Sequence, residues 1–275
     1  MIKSYFFIPA SHPKLLEKIE TIIADHIIID LEDAVKKEDL EKALQLLSEI
    51  TATEKCFVRP PLFRNEEFDK SLFLQLKKLG FRNYLVPKFR NIQQLKEIEN
   101  CLNDNELGET NFILVIENPE SLFGIREIIL STKLRITGLG FGSQDYCTET
   151  GMHHTYENLK YPRFLISGIA KSFHLNAIDI ACMEVKNKEE VKREIADAFE
   201  LGFEGKFLIH PMQIEVLENY TFYTHEQIRE AEEILEEYRA AGQPAVFSFN
   251  GKAIEPPHIR NFEKIIEWIK YHGKQ

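Results

Sequence analysis

Short apolar runs alternate with longer stretches of helical periodicity along nearly the whole chain. The runs are continuous rather than alternating, which is typical of parallel strands that are buried on both faces. The stretches between them repeat leucine and isoleucine every three or four residues, as amphipathic helices do. The predicted strands are Tyr5–Pro9, Ile27–Leu31, Cys56–Arg59, Tyr84–Lys88, Phe112–Glu117, Ile136–Phe141, Ala177–Ile180 and Phe207–Ile209. The predicted helices are Lys14–Ile23, Leu40–Ile50, Glu67–Leu79, Ile92–Leu102, Ser121–Leu130, Phe164–Phe173 and Glu189–Leu201.

This alternation of strands and helices predicts an α/β protein that forms a (β/α)8 TIM barrel. The main alternative is a doubly wound open sheet, in which a glycine-rich phosphate-binding turn usually follows the first strand. The similar string here, Gly138–Gly142, comes at the sixth strand and fits a strand end better. We therefore predict a barrel over residues 1–223. A C-terminal helical extension over residues 224–275 would pack on the barrel, cover its mouth as a lid, or pack on a neighbouring subunit.

Acidic residues stand at or just beyond the ends of three predicted strands. Glu117 and Asp145 follow the fifth and sixth strands, and an Asp30-Leu-Glu-Asp33 string follows the second. Barrel strands end at a common mouth, and neighbouring strands lie about 4.8 Å apart, so Glu117 and Asp145 can reach one ion. Two carboxylates with water and substrate oxygens are a usual magnesium arrangement. The alternative is that each acid caps a helix or pairs with a surface base.

Basic residues end the third and fourth predicted strands. Arg59 can bind a carboxylate or a phosphate through two parallel hydrogen bonds, or it can neutralise the acidic string after the second strand. Lys88 offers another cation at the same mouth. Asp30 and Glu32 repel each other unless a cation offsets their charges. They can hold water molecules or an arginine around a metal.

Composition narrows the class of partner and the compartment. The formal net charge is −10 over 275 residues, which argues against a nucleic-acid partner. The four cysteines form no CxxC pair, a pattern that favours free thiols in a reducing cytoplasm. The N-terminal apolar run is too short for a signal peptide, and no run approaches the ~18 residues of a membrane span. We predict a cytoplasmic protein that binds neither membrane nor nucleic acid.

Several strings in this chain resemble the citrate lyase beta-subunit-like family and occur in the family's order over nearly the whole length. The strongest are Ile28-Ile-Asp-Leu-Glu-Asp-Ala-Val35, Gly138-Leu-Gly-Phe-Gly-Ser-Gln-Asp145 and Gly202-Phe-Glu-Gly-Lys-Phe-Leu-Ile-His-Pro211. The family belongs to a wider group of magnesium-dependent pyruvate aldolases and malyl-coenzyme A lyases. The chain is similar to a divergent member of it.

The resemblance implies a magnesium site and the chemistry around it. Glu117 and Asp145 would hold Mg²⁺, and Arg59 would polarise the keto oxygen of the substrate. Asp30 and Glu32 would hold water molecules of the metal. The implied activity is that of a carbon–carbon lyase or aldolase acting on a 2-oxo acid or hydroxy acid, also in the form of a coenzyme A thioester. The alternative is a non-catalytic barrel that serves as a binding or partner subunit.

The resemblance also assigns residues that contact the substrate and a residue shared between subunits. Lys88, Gly142 and Ser143 would contact the substrate. Glu255 stands where the family has an acid that reaches a neighbouring subunit's site, so we expect a homo-oligomer, with a trimer favoured. Several loops depart from the family pattern: Gln144 replaces a glutamate, and the first loop lacks the usual glycine and arginine. The sequence therefore leaves the identity of the substrate open.

Overall fold

The computed structural model of the protein describes residues 2–51 and 53–272. The strands are β1 (Lys3–Pro9), β2 (His26–Asp30), β3 (Cys56–Arg59), β4 (Phe63–Arg64), β5 (Glu67–Phe68), β6 (Asn83–Val86), β7 (Asn111–Ile116), β8 (Arg135–Phe141), β9 (Asn176–Asp179), β10 (Gly205–Leu208), β11 (Phe247–Phe249) and β12 (Lys252–Ile254). The α-helices are α1 (Pro13–Leu16), α2 (Leu40–Ser48), α3 (Lys70–Lys78), α4 (Ile92–Glu99), α5 (Asp104–Glu109), α6 (Pro119–Ser131), α7 (Ser143–Thr150), α8 (Tyr156–Ser172), α9 (Lys188–Glu200), α10 (Pro211–Glu218), α11 (His225–Ala240) and α12 (Pro256–His272). Short 3-10 helices cover Ile19–Thr21 and Lys37–Asp39.

Eight parallel strands close into a barrel. The order around the ring is β1, β2, β3, β6, β7, β8, β9 and β10, and β10 pairs with β1 to complete it. Helices lie between successive barrel strands, so the chain has the predicted (β/α)8 architecture. The strands β7 and β8, which precede Glu117 and Asp145, are neighbours in the ring. The closed ring leaves no strand edge for further pairing.

The barrel interior is packed with side chains from the inward-facing positions of its strands. This core consists of Tyr5, Ile28, Phe57, Leu85, Ile113, Val115, Ile178 and Phe207, with Phe7 and Ala181 packed against it. At Gly140, strand β8 contributes a glycine to the barrel interior in place of a larger residue. A Cβ atom at Gly140 would lie 2.6 Å from the ring of Phe207, so the glycine makes room for that ring.

The predicted strands agree with the structure within two residues at each end, but some helices differ. The predicted helix Lys14–Ile23 is broken into α1 and a 3-10 helix, for which we have no physical account. The first residues of the predicted helix Glu67–Leu79 instead form a small hairpin of β4 and β5. Its turn residues, Asn65 and Glu66, both have positive φ, which suits a tight two-residue hairpin turn. The helix α3 starts later, where the Asp69 side chain accepts a hydrogen bond from Leu72 N.

The helix α8 is longer than the predicted Phe164–Phe173. It begins after Thr155, whose side chain accepts a hydrogen bond from Asn158 N, and it runs through Pro162. Proline usually ends a helix pattern, and for that reason the first turns were missed. The helices α5, α7 and α10 were also missed, because each is short and lacks a long apolar face.

The packing divides the chain into two compact units, one covering Ile2–Asn219 and the other beginning at Tyr220. The second unit contains α11, the antiparallel pair β11 and β12, and α12. Its small core consists of Ile234, Leu235, Phe249, Ile254 and Ile259. Within the described ranges, no helix has the length and apolar character to cross a membrane.

Candidate active site

Glu117 directly follows β7 and is buried at the barrel mouth, with 4% of its surface exposed. Its Oε2 accepts a hydrogen bond of 2.7 Å from the backbone N–H of Lys88. Lys88 has a positive φ of 55°, an uncommon backbone conformation that turns this N–H toward Glu117. Glu117 therefore neither caps a helix nor pairs with a surface base, which were the alternatives to a ligand role.

Asp145 lies in the first turn of α7, four residues beyond the end of β8, and is partly exposed. The strand ends at Phe141, as predicted, but the helix that contains Asp145 was not predicted. Gly142 connects the two elements and passes close to Glu117. A Cβ atom at Gly142 would stand 2.6 Å from Glu117 Oε1, so glycine is required for this approach.

The electrostatics around Glu117 disfavour its charge in the metal-free protein. The pKa of Glu117 is raised to about 8, first by burial and then by the negative charges of Glu32 and Asp145. The hydrogen bond from Lys88 N and the charge of Arg59 oppose these effects without cancelling them. A cation between Glu117 and Asp145 would remove the repulsion and favour both carboxylates.

Arg59 ends β3 and is held in a fixed orientation. Its Nε donates to Asp30 Oδ1 at 2.8 Å and its Nη2 donates to Asp30 Oδ2 at 2.6 Å. The guanidinium lies over the ring of Phe7, with 4.8 Å between its Cζ and the ring centroid. Asp30 also accepts hydrogen bonds from the backbone N–H groups of Glu32 and Ala34. Of the three guanidinium nitrogens, Nη1 is the one that Asp30 does not occupy.

Glu32 stands between Arg59 and Lys88. Its Oε1 lies 2.8 Å from Lys88 Nζ, and its Oε2 lies 3.5 Å from Arg59 Nη1. Burial raises the pKa of Glu32, and Arg59 lowers it in part. Burial alone would lower the pKa of Lys88, but the hydrogen bond and charge of Glu32 raise it above its ordinary value. Among the atoms of the described residues, the buried Glu32 Oε2 finds no hydrogen-bond donor.

A cavity of about 340 Å³ opens at the mouth of the barrel. The residues that line it with polar groups include Asp30, Asp33, Arg59, Glu117, Ser143, Gln144 and Asp145. The Ser143 hydroxyl is fixed by a hydrogen bond of 2.9 Å with His154 Nε2. The structure thus gathers at one mouth the residues predicted from three strand ends and from the string that ends at Asp145.

The donor set fits a hard divalent cation. Within residues 2–51 and 53–272, no cluster of three or more His, Cys, Asp and Glu side chains is arranged to hold a metal. An ion at this mouth would therefore have two protein carboxylates and would complete its coordination with water and substrate oxygens, as magnesium commonly does. Glu32 Oε2, which accepts no hydrogen bond in the structure, is an acceptor for a water molecule beside such an ion.

One predicted site residue belongs to the second unit, and two contacts in the first unit were not evident in the sequence. Glu255 belongs to the C-terminal unit, follows β12 and is exposed, and its backbone N–H donates to His258 Nδ1. The contacts of Phe7 with Arg59 and of His154 with Ser143 could not be predicted from the sequence. The contact of Phe7 with Arg59 joins two different strands, and the contact of Ser143 with His154 depends on the loop that follows α7, so residue spacing gives no signal for either.

The fold and the site together define a TIM-barrel enzyme with an acidic pair and an arginine at the C-terminal mouth of its strands. A family model described as HpcH/HpaI aldolase/citrate lyase matches residues 3–211, and the chain belongs to this family. The membership confirms the predicted family resemblance and the predicted class, a carbon–carbon lyase.

Similar proteins align along almost the whole chain. The citrate lyase subunit beta of Haemophilus influenzae is 26% identical over 98% of this chain and 97% of its own length. The mitochondrial citramalyl-CoA lyase of Rattus norvegicus is 25% identical over 96% of this chain and 85% of its own length. A crystal structure of CitE from Mycobacterium tuberculosis with magnesium, acetoacetate and coenzyme A superimposes with a TM-score of 0.83. It is 22% identical, covers 99% of this chain and 98% of its own, and shares the fold.

Proposed function

We propose that this chain is a Mg²⁺-dependent lyase that breaks or forms a carbon–carbon bond between a 2-oxo acid and an acyl-coenzyme A fragment. The observation that carries the proposal is the pairing of buried Glu117 with Asp145 beside an oriented Arg59, at the mouth where barrel enzymes keep their chemistry. The magnesium and coenzyme A named for CitE, and the thioester named for the rat relative, support the choice of metal and substrate.

Glu117 and Asp145 would hold the ion. When bound there, Mg²⁺ supplies positive charge that polarises the oxygens of a 2-oxo acid. The protein excludes bulk water from one side of this position, since Glu117 is buried beneath the turn at Gly142. The N-terminal N–H groups of α7, which begins at Ser143, face the same mouth and favour an anionic carboxylate.

Arg59 would stabilise the charge that develops on the substrate oxygen. In cleavage, the hydroxyl on the scissile carbon loses its proton and becomes the keto group. The carbon–carbon bond breaks, and its electron pair moves to the α-carbon of the thioester, which then gains a proton. The Nη1 of Arg59 is the nitrogen that would donate to the oxygen, because Asp30 occupies Nε and Nη2 and the 3.5 Å contact of Nη1 with Glu32 is longer than the hydrogen bonds to Asp30. A donor fixed before the reaction stabilises the oxyanion without reorganising.

The acidic string after β2 would support this arrangement rather than bind the ion itself. Asp30 orients Arg59, and Glu32 links Arg59 to Lys88 while offering Oε2 to a water molecule. Lys88 then serves mainly through its backbone N–H, which holds Glu117, and through its charge, which offsets Glu32. Gly142 and Ser143 contribute the close backbone turn that contacts the substrate's carboxylate.

A panel of 3-hydroxyacyl-coenzyme A thioesters tests the proposal, with citramalyl-CoA as the first member. Chromatography should show release of a coenzyme A thioester and a 2-oxo acid in Mg²⁺, and no release in EDTA. Turnover that is equally fast in EDTA would contradict the metal-dependent mechanism. Binding of Mg²⁺ and a 2-oxo acid without cleavage of any panel member would favour the alternative, a non-catalytic binding subunit.

Gly142→Ala should weaken Mg²⁺ binding by about tenfold or more, because the added methyl group would force the Glu117 carboxylate out of position. Calorimetric titration with MgCl₂ measures the effect. Gly168→Ala is the matched control, since a Cβ atom at Gly168 in α8 meets nothing within 4 Å. Equal affinities in Gly142→Ala and the wild type would show that Glu117 does not hold the ion.

We also propose that the protein is a cytoplasmic homo-oligomer, with a trimer favoured, in which Glu255 of one copy serves as acid or base at a neighbour's site. A carboxylate beside the thioester's α-carbon can move the proton that cleavage requires. Large apolar side chains that stay exposed on α6 and α8, Phe123 and Leu130 with Tyr161 and Phe164, offer a further surface for association.

Mixing two inactive variants tests the shared site. Asp145→Ala and Glu255→Ala should be inactive alone, and their co-assembly should restore about a quarter of wild-type activity if copies mix at random. A mixture of Asp145→Ala with Glu117→Ala should stay inactive, because both substitutions damage the same metal pair. A monomer in sedimentation, or no recovery despite proven subunit exchange, would rule out the shared site.

A further inference from the structure

Two buried glutamines occupy the same position in two helices on opposite sides of the barrel mouth. Gln94 is the third residue of α4, which follows β6, and Gln213 is the third residue of α10, which follows β10. Their exposed fractions are 5% and 0%. The strands β6 and β10 stand four places apart in the ring of eight, so the two glutamines lie across the barrel from each other.

Each glutamine joins the loop before its own helix to the loop that follows the preceding strand of the ring. Gln94 Oε1 accepts a hydrogen bond of 2.7 Å from Arg90 N. Its Nε2 donates at 3.2 Å to Glu66 O, in the turn of the hairpin that follows β3. An amide can join two loops in this way because it carries both a donor and an acceptor. We call this contact the α4 clamp.

The corresponding contact at Gln213, the α10 clamp, uses every hydrogen-bonding position of the amide. Gln213 Oε1 accepts hydrogen bonds from Ile209 N at 2.8 Å and from His210 N at 3.2 Å. Its Nε2 donates to Cys182 O at 2.8 Å and to Glu184 O at 2.9 Å, both in the loop after β9. The loops after β9 and β10 are therefore held together through one fully buried side chain.

The α4 clamp lies next to the hydrogen bond that holds Glu117. The N–H that donates to Glu117 belongs to Lys88, whose positive φ is a conformation that persists where surrounding contacts fix it. Two residues further on, Arg90 N is fixed by Gln94. A hydrogen bond of 3.0 Å from Asn118 Nδ2 fixes the carbonyl oxygen of the intervening residue. Gln94 therefore acts on the Glu117 carboxylate through the backbone of Lys88.

The loops joined by the two clamps line two adjoining cavities that share Glu117 and Asp145. The loops of the α4 clamp line a cavity of about 320 Å³ through Glu66, Lys88 and Arg90. The loops of the α10 clamp line the mouth cavity of about 340 Å³ through Ala181, Met183 and Ile209. The two clamps thus support different parts of one site.

We infer that Gln94 and Gln213 are positioning residues with separate effects, Gln94 on the cation through Glu117 and Gln213 on the substrate through the loops beside it. The inference rests on the proposed function for the identity of the ion and the substrate. It adds two residues that line neither cavity. A glutamine that only stabilised the fold would change the melting temperature without lowering one affinity and sparing the other.

Gln94→Glu and Gln213→Glu keep the size of the side chain and an acceptor but remove the donor when the acid is ionised. Gln94→Glu should bind Mg²⁺ about tenfold more weakly in calorimetry, as loss of a group behind a metal ligand commonly does. An added negative charge alone would tighten the binding of a cation, so the expected change has the opposite sign. Gln213→Glu should keep the Mg²⁺ affinity and bind pyruvate about tenfold more weakly in saturating Mg²⁺.

Hydrogen exchange of the full chain in EDTA tests the clamps without any ligand. Gln94→Glu should speed amide exchange in residues 63–68 and 88–91, and Gln213→Glu in residues 181–187 and 209–210, because each variant releases its own pair of loops. Gln93→Glu is the control for the added charge, since Gln93 is the exposed neighbour of Gln94 in α4. Its exchange rates and both of its affinities should match the wild type. If a glutamate variant does not fold, Gln94→Met and Gln213→Met remove the same hydrogen bonds without a charge.

Unchanged exchange in both variants would overturn the inference, and so would faster exchange with both affinities unchanged. Equal losses of both affinities in the two variants would overturn the separation of their roles. Each of these results would leave the lyase proposal intact. Failure of the wild type to bind Mg²⁺ or pyruvate would overturn the proposed function together with the positioning roles, and the exchange rates would then show whether the clamps still fix the loops.

Discussion

Glu117→Gln and Asp145→Asn are each expected to abolish detectable Mg²⁺ binding and turnover while the barrel stays folded. A neutral amide is a much weaker ligand for a hard cation than a carboxylate. The amide oxygen at position 117 can still accept the hydrogen bond from Lys88 N, and the substitution removes a buried charge that the fold disfavours. Calorimetry with MgCl₂ and the melting temperature in EDTA measure the two effects separately.

Glu127→Gln provides the control for removing an acid, because Glu127 is exposed on α6 and lies outside the mouth cavity. It should bind Mg²⁺ as the wild type does. If Glu117→Gln and Asp145→Asn keep wild-type affinity, the ion binds elsewhere and the acids have another role. If both variants unfold, Gly142→Ala tests the Mg²⁺ site instead, because it keeps both Glu117 and Asp145.

Arg59→Lys is expected to lower turnover by more than tenfold, or about 1.4 kcal/mol of barrier, with Mg²⁺ affinity little changed. Lysine keeps the charge but loses the planar fork that binds both oxygens of Asp30 and leaves Nη1 for the substrate. It also loses the stacking of the guanidinium over Phe7. Steady-state kinetics and calorimetry on the same preparation measure the two quantities.

Arg135→Lys is the matched control, since Arg135 begins β8 at the opposite end of the strand from the mouth and donates to Gly108 O. Its kinetics should be those of the wild type. Full activity in Arg59→Lys would mean that Arg59 only balances the charges of Asp30, Glu32 and Asp33. A parallel loss of Mg²⁺ affinity would instead mean that Arg59 positions the metal ligands.

The barrel could be predicted from the sequence because its strands are continuous apolar runs and its helices have regular apolar spacing. The first and last residues of several helices could not be predicted, because they depend on local hydrogen bonds. Strand β8 stops at Phe141, as predicted, but the helix α7 that begins within two residues and contains Asp145 was not predicted. The hairpin at Asn65 and Glu66 likewise depends on two positive φ angles that could not be predicted from the sequence.

The residues of the candidate site could be named from the sequence, but the hydrogen bonds and contacts between them could not. The strand-end positions of Asp30 and Arg59 suggested two roles for the arginine, and the structure shows that Asp30 orients it. The use of the Lys88 backbone N–H, rather than its side chain, to hold Glu117 depends on a left-handed backbone that spacing cannot reveal. Met183 lines the mouth cavity from the loop after β9, whose course depends on tertiary packing.

We propose that Glu117 and Asp145 hold a divalent ion that is chelated by a 2-oxo acid. Crystals of the full chain grown with Mn²⁺ in place of Mg²⁺ and with pyruvate locate the ion directly by its anomalous scattering. We expect one ion bound by both carboxylates, with the carboxylate and keto oxygens of pyruvate on it and Arg59 Nη1 facing the keto oxygen. An ion that binds elsewhere, or pyruvate bound in the cavity without the ion, would contradict the account.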